Sequence, residues 1–461
     1  MKIEEQKLLN SQMANWVKEL TRWPHRKTGT YEGRKSAEYV EKEFKKLGLI
    51  NVEIQYADSL CTEIIKSDFY VSGKKLKSIL SNGTNKKCKL GKSITQIENA
   101  EMIYIQDGSG EEIKTLDLNG KVVICDVFFS PHRWHDTPAT AFYGPNGEFD
   151  RKREIYNVYM PENYIDTYYM AMEKGACAYV GILQNFMDEN FLNEDYNYVI
   201  EQEQPMAIPT MWVSKEQGAE LIKGLPAVAD IDVETESEYK KALTVTGMLE
   251  GMSDDIVLVH SHHDAAVEGG VQDASGMSVV FALAQHFAAM SKEERKTSMM
   301  FISTDSHYTD YEGHDKFLDM MEAAKKNIVL DCCVEHIAKE MDMDKNNHMI
   351  IYDRPETRIL YVTDRDGLAE MAFDTFCRRH MAHTMLMPVA PYGSEDYDPD
   401  FVCTDAYSMH ERGIPVISIL TAPMYLSHNT DTYDKVYFKG LVPMAETYAD
   451  IIIKAWDILG Y

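Results

Sequence analysis

At 461 residues the chain is too long for one ordinary core, so two or three domains are expected. With 44% hydrophobic and 10% aromatic residues it has enough apolar surface to pack, which sets aside a disordered chain. A formal net charge of −27 sets aside nucleic acid and anionic membrane as partners, because nothing would neutralise their phosphates; the acidic surface reads chiefly as solubility.

From Met1 to Lys18 the residues are charged, without the apolar stretch of a signal peptide. Nor does any later run reach the roughly 18 apolar residues of a membrane span, so a soluble, cytoplasmic chain is expected. Ala37, Val40, Phe44 and Leu47 form a helical stripe ended by Gly48. Asn51 to Gln55 alternates like a strand. From residue 59 to about 240 short strands dominate, at Ala100–Tyr104, Val122–Asp126, Ala178–Leu183 and Thr210–Val213, with a helix from Tyr168 to Lys174 ended by Gly175. A long polar and aromatic segment, 128 to 164, holds His132, Trp134 and His135 and reads as a functional lid or a poorly ordered stretch.

From residue 241 strand and helix alternate. Strands are predicted at 256–261, 298–303, 327–332 and 414–420, and helices at 276–290, 313–325, 366–380 and 441–458. That alternation implies an α/β domain around a mostly parallel or mixed sheet, where ligands bind at strand carboxyl ends. His262, Asp305-Ser306-His307, Asp331 and His428 all follow predicted strands and should converge. The segment His262 to Gly276 is the most informative: a His-x-Asp at a strand end, a Gly-rich loop, then a helix start. The eight cysteines (Cys61, Cys88, Cys125, Cys177, Cys332, Cys333, Cys377 and Cys403) include no CxxC pair and read as thiols in a reducing compartment.

In order and spacing these motifs resemble the zinc aminopeptidase and glutamate carboxypeptidase family, the family-28 metallopeptidases. Trp23-Pro24-His25-Arg26-Lys27-Thr28-Gly29 is similar to its N-terminal region. Leu118-Asn119-Gly120-Lys121-Val122-Val123 and Glu173-Lys174-Gly175-Ala176 are similar to an inserted protease-associated domain. His262–Gly276, Phe301–Phe317 and His428-Asn429-Thr430-Asp431-Thr432 are similar to the catalytic motifs. The resemblance implies a zinc exopeptidase fold: α/β, with a phosphorylase/hydrolase-like mixed sheet flanked by helices. It divides the chain into 1–58 (first part of the catalytic domain), 59–240 (mainly-β insert) and 241–461 (main catalytic part).

The family holds two zinc ions with five ligands and uses a glutamate as general base. Carried over, His262 falls on the first ligand, Asp264 on the carboxylate that orients it, Asp331 on the second carboxylate ligand and His428 on the final histidine. Three positions differ. The metal-bridging aspartate is Gln272, and the Glu-Glu pair of base and ligand is His307-Tyr308. Two zinc ions with one clear carboxylate would leave positive charge uncompensated in a partly buried site. One divalent metal is therefore expected, zinc first, with manganese or ferrous iron as alternatives. Its ligands would be His262 and Asp331, completed by the Gln272 oxygen or by Asp273 and a water; His428 with His307 is a weaker second set. His307 would be the base, and Tyr308 would donate to an oxyanion.

Among other candidates, His263 should point away from the site. Glu335-His336 either lies near it or caps a strand end. The carboxylates of Gly393–Asp398 read as solvated. The expected function is a metal-dependent hydrolase acting on a small peptide or amide. The alternatives are a non-catalytic binding or scaffold relative, or an enzyme of altered chemistry on a small amide metabolite. A homodimer through the catalytic domain is implied by analogy alone.

Overall fold

The computed structural model describes residues 3–80, 90–144, 150–187, 206–426 and 428–461; Cys88 lies outside them. The apolar, β-branched runs of the C-terminal half form the middle of a mixed sheet. Its neighbouring strands run in the order Val228–Leu249, Thr297–Thr304, Ser253–His262, Ile328–Val334, Val416–Thr421, Arg358–Thr363 and Thr384–Val389. The strand Ser253–His262 is parallel to both its neighbours. Ile256 to Val259 are fully buried, which explains why this strand reads as a continuous apolar run and not as an alternation. The helices Ile3–Leu20, Tyr31–Lys46, Gly276–Ala288 and Phe438–Leu459 pack together on the sheet, where Trp16, Phe44, Phe281, Tyr448 and Trp456 fill one core.

The four predicted C-terminal strands and four helices occur within a few residues of their expected places. Two strands, Arg358–Thr363 and Thr384–Val389, lie in a stretch that gave no sequence signal. The described residues of the segment 128–164 include paired strands. Phe129–Arg133 pairs with Glu154–Pro161, and Ala141–Tyr143 adds an antiparallel strand beside Thr384–Val389. Trp134 is buried with its ring edge toward His132.

Two 22-residue strands, Ile50–Val71 and Val228–Leu249, pair antiparallel along most of their length. The expected boundaries fall in the middle of this ribbon, where Asp58 faces Lys241 and Ser59 faces Lys240. Strands Gly91–Tyr104, Val122–Val127, Ala178–Leu183 and Thr210–Ser214 continue the sheet from the ribbon's far end. They enclose a separate apolar cluster around Val180, Met211 and Ile231.

Arg26 joins the N-terminal segment to the loop after His262. Its side chain is fully buried. Nε donates to the His263 carbonyl at 2.7 Å, Nη1 to Leu20 and Glu268 at 3.0 and 2.5 Å, and Nη2 to Gly269 at 3.1 Å. Its backbone N–H donates to the Ala265 carbonyl, and the Ala265 N–H donates back. Gly269 sits at φ +60°, and a Cβ there would stand 2.3 Å from the Gln272 carbonyl, so the loop needs glycine at this point.

Removing the guanidinium would leave four carbonyls without this donor, three of them in the loop that follows His262. Arg26→Ala is expected to lower stability by about 3 kcal/mol or more, measured as urea unfolding. A loss under about 1 kcal/mol would show that the clamp is dispensable.

Candidate metal centre

His262 ends its strand with the imidazole fully buried. Nδ1 lies 3.0 Å from the Asp264 carbonyl and 3.2 Å from Asp264 Oδ1. The Thr28 hydroxyl donates to Asp305 Oδ1 at 2.6 Å and lies 3.4 Å from Asp264 Oδ2. His336, just beyond the strand Ile328–Val334, points Nδ1 at the Thr421 carbonyl at 3.0 Å. His428 points Nδ1 at the Leu426 carbonyl at 2.5 Å. Both His336 and His428 are buried. A backbone carbonyl accepts only from N–H, so each contact places the proton on Nδ1 and leaves Nε2 with a bare lone pair. The Nε2 atoms of all three are buried without a hydrogen-bond partner. Burial holds the His262 imidazole well below its ordinary basicity. It pushes His336 down to about 3, helped by His262 and His307, and His428 down to about 4. Buried, neutral imidazoles with uncovered Nε2 atoms are metal ligands in form.

Asp273 completes the set, because ligand atoms of His262, Asp273 and His336 lie within 4.8 Å of one another. The Asp273 carboxylate receives the Ser261 hydroxyl at 2.5 Å and the backbone N–H groups of Gly276 and His336 at 2.9 and 3.1 Å. Burial nevertheless raises its pKa to about 7. Carboxylates avoid charge there unless a cation is present. At Gly276 a Cβ would stand 2.2 Å from the Val334 carbonyl and 2.4 Å from Asp273 Oδ2. Glycine therefore lets the helix start press against both neighbours.

His307 stacks on His262, ring centroids 4.1 Å apart and planes 5° from parallel. Its Nδ1 lies 2.5 Å from Asp405 Oδ1 and its Nε2 lies 3.0 Å from Gln272 Nε2. Asp405 also faces His314 Nε2 at 3.0 Å and the Thr304 hydroxyl at 3.2 Å. Burial alone would raise the Asp405 pKa, but His307 and His314 hold it well below the ordinary carboxylate range. Burial alone would lower that of His307, but Asp405 raises it. Tyr308 sets its ring edge-on to His307 at 4.8 Å and to His262 at 6.1 Å. It also lines a cavity of about 300 Å³ with Thr28, Cys61, Lys240 and Thr309.

The structure thus brings together His262, Asp264, Gln272, His307 and Tyr308. It does not bring Asp331 to His262. In the parallel register Asp331 pairs with Leu258, four residues before the end of the neighbouring strand, or roughly 13 Å along it. Both Asp331 oxygens instead face His260 Nε2, at 3.1 and 3.2 Å. Glu335 and His336, four and five residues later, reach the level of His262. His263 turns away, with Nδ1 2.9 Å from the Ser303 hydroxyl. Gln272 reaches His307 through its amide nitrogen, and Asp273, next to it, is the carboxylate near His262. Sequence reasoning missed Asp405, His314 and His260. The one signal for them was charged residue types inside otherwise apolar runs, and that signal names no partner.

Residues 244–452 match the family model of peptidase family M28. Among curated proteins no match is found. Among solved structures, the fold is shared with an aminopeptidase from Aneurinibacillus sp. strain AM-1 at TM-score 0.60 and 19% identity, covering 97% of this chain and 93% of that one. A zinc aminopeptidase from Bacillus subtilis aligns at TM-score 0.63 and 15% identity, over 97% and 94% of the two chains. A peptidase M28 precursor from Shewanella amazonensis SB2B aligns at 0.64 and 14%, over 99% and 96%. The zinc exopeptidase fold expected from sequence is therefore the fold observed.

If His336 is a ligand, His336→Gln should weaken zinc binding at this centre more than about 100-fold. Ser261→Ala, which removes one anchor of Asp273, should weaken it roughly 10-fold. Competition with a chromogenic chelator measures both; unchanged affinity in His336→Gln would remove this residue from the centre.

Proposed function

We propose that the chain is a metal-dependent hydrolase that cleaves a peptide or amide bond, with one catalytic divalent cation held by His262, Asp273 and His336, and with His428 offering a further nitrogen. The observation that carries this reading is the shared preparation of three buried imidazoles, each with Nδ1 tied to a main-chain carbonyl and Nε2 uncovered. This N/O donor set suits zinc first and manganese or ferrous iron next. A cation bound there supplies Lewis acidity toward a scissile carbonyl and toward water.

The chain's own residues supply the rest. Asp405 fixes the His307 ring and places a proton on Nδ1, so Nε2 is the atom that exchanges a proton with the reactants. In the resting arrangement Gln272 occupies that atom. Binding of substrate is proposed to displace the Gln272 amide, after which His307 Nε2 takes a proton from the attacking water and returns it to the leaving amine. The cavity beside Tyr308 is where one end of a small peptide or amide would sit. The aminopeptidases that share this fold make removal of an N-terminal residue the first activity to assay.

A second reading, a non-catalytic binding relative, draws on the same substitutions: Gln272, His307 and Tyr308 stand where the family has acids. The hydrogen-bonded order of Asp405, His307 and Gln272 favours the hydrolase, because a residue merely filling space needs no oriented partner on each ring nitrogen.

A panel of aminoacyl and N-acyl amides, assayed with zinc, manganese or cobalt, should show metal-dependent hydrolysis. His307→Ala should lower kcat by about 10² to 10⁴ while zinc affinity stays within a few-fold of wild type. Absence of turnover with every metal would favour the binding reading.

A further inference from the structure

Beneath His262 lies a second group of buried ligands. His260 precedes it by two residues on the same strand, so both side chains stand on one face of the sheet, roughly 7 Å apart along the strand. Ligand atoms of His260, His314 and Asp405 lie within 4.8 Å of one another, and all three residues are buried. Asp331 adds a carboxylate with both oxygens 3.1–3.2 Å from His260 Nε2. The strands Ser253–His262 and Ile328–Val334, the helix Glu312–Ala323 and the loop before Tyr407 each contribute.

We propose that His260, His314, Asp405 and Asp331 form a second divalent-cation site, one layer below the proposed catalytic centre. Three observations converge on it. Two carboxylates, Asp331 and Asp405, are completely buried, and among the described residues neither ion-pairs with a lysine or arginine; the side chains facing them at ion-pair distance are histidines. Two neutral imidazoles, two carboxylates and one divalent cation give a site of zero net charge, which removes most of the penalty for burying the acids. The spacing also fits. Donors about 2.0–2.1 Å from a zinc stand roughly 3.3 Å apart, and the His260–Asp331 and His314–Asp405 pairs already lie at 3.0–3.2 Å. The His260 and His314 ring centroids are 6.4 Å apart. Finally, His260 Nε2 sits almost equally far from both Asp331 oxygens, and Asp331 Oδ1 has no hydrogen-bond partner. A shared cation gives that oxygen a role that the imidazole does not.

Asp405 would then serve two neighbours: Oδ2 toward the cation and Oδ1 toward His307 Nδ1. The lower cation would fix the carboxylate that orients the proposed base. This placement rests on the hydrolase reading only for its consequence, not for the site itself.

The full chain, expressed in zinc-supplemented medium and desalted, should carry two equivalents of zinc by plasma mass spectrometry. His314→Gln and His336→Gln should each retain one. Anomalous scattering at the zinc edge from wild-type crystals should give a peak among His260, His314 and Asp405, and this readout does not depend on a variant folding. No peak there, or one wild-type equivalent that His336→Gln loses and His314→Gln keeps, overturns the second site and leaves the catalytic centre standing. One equivalent lost in His314→Gln and kept in His336→Gln supports the second site and removes the metal from the hydrolase reading.

Discussion

Buried acids that, among the described residues, have no lysine or arginine beside them are the constraint around which the C-terminal half is built. Asp273, Asp331, Glu335 and Asp405 lie at or below the carboxyl ends of the parallel strands, all at most 2% exposed. Ionising even one such group in an apolar interior costs several kcal/mol unless hydrogen bonds or opposite charge offset it. The chain meets this demand in different ways. Asp273 is surrounded by a hydroxyl and two main-chain N–H groups. Asp405 takes two imidazoles. Burial raises the Glu335 pKa well above the ordinary carboxylate range, with Asp405 and Asp273 adding to it, and Glu335 accepts the Asp405 N–H at 2.8 Å.

Strand geometry decides which of these acids meet. A strand shows every second side chain on one face, and parallel neighbours hold their levels in register. His260 and His262 therefore share a face at two heights. Asp331, paired across from Leu258, belongs to the lower height, and Glu335-His336 to the upper. One backbone register thus separates a layer around His262 from a layer around His260. Arg26 secures the loop over the upper layer from the side, since it ties the carbonyls of His263, Glu268 and Gly269 to the N-terminal segment.

Residues far apart in the sequence meet around His262 and His307. Gln272 and the adjacent pair His307-Tyr308 come from two separate places in the sequence, yet Gln272 reaches the His307 ring, and His307 and Tyr308 both border His262. His307 is met by a carboxylate, Asp405, from more than ninety residues away in the chain.

The sequence by itself determined the class of fold, the order of strand and helix after residue 241, and the region of the site. Long apolar runs and an intact His-x-Asp, Ser-Gly and His-x-x-Asp order are local properties that survive in one dimension. It also placed His262 beside Asp264 and singled out Gln272 and His307. It did not reveal the strands Arg358–Thr363 and Thr384–Val389, nor that residues 58 and 240 lie within one paired ribbon, because strand pairing is a relation between distant segments. Only the tertiary structure decided which carboxylate stands near His262. Spacing along one strand measures height, but the partner strand's register sets what lies at that height, so Asp331 went to His260 while Asp273 and His336 came to His262.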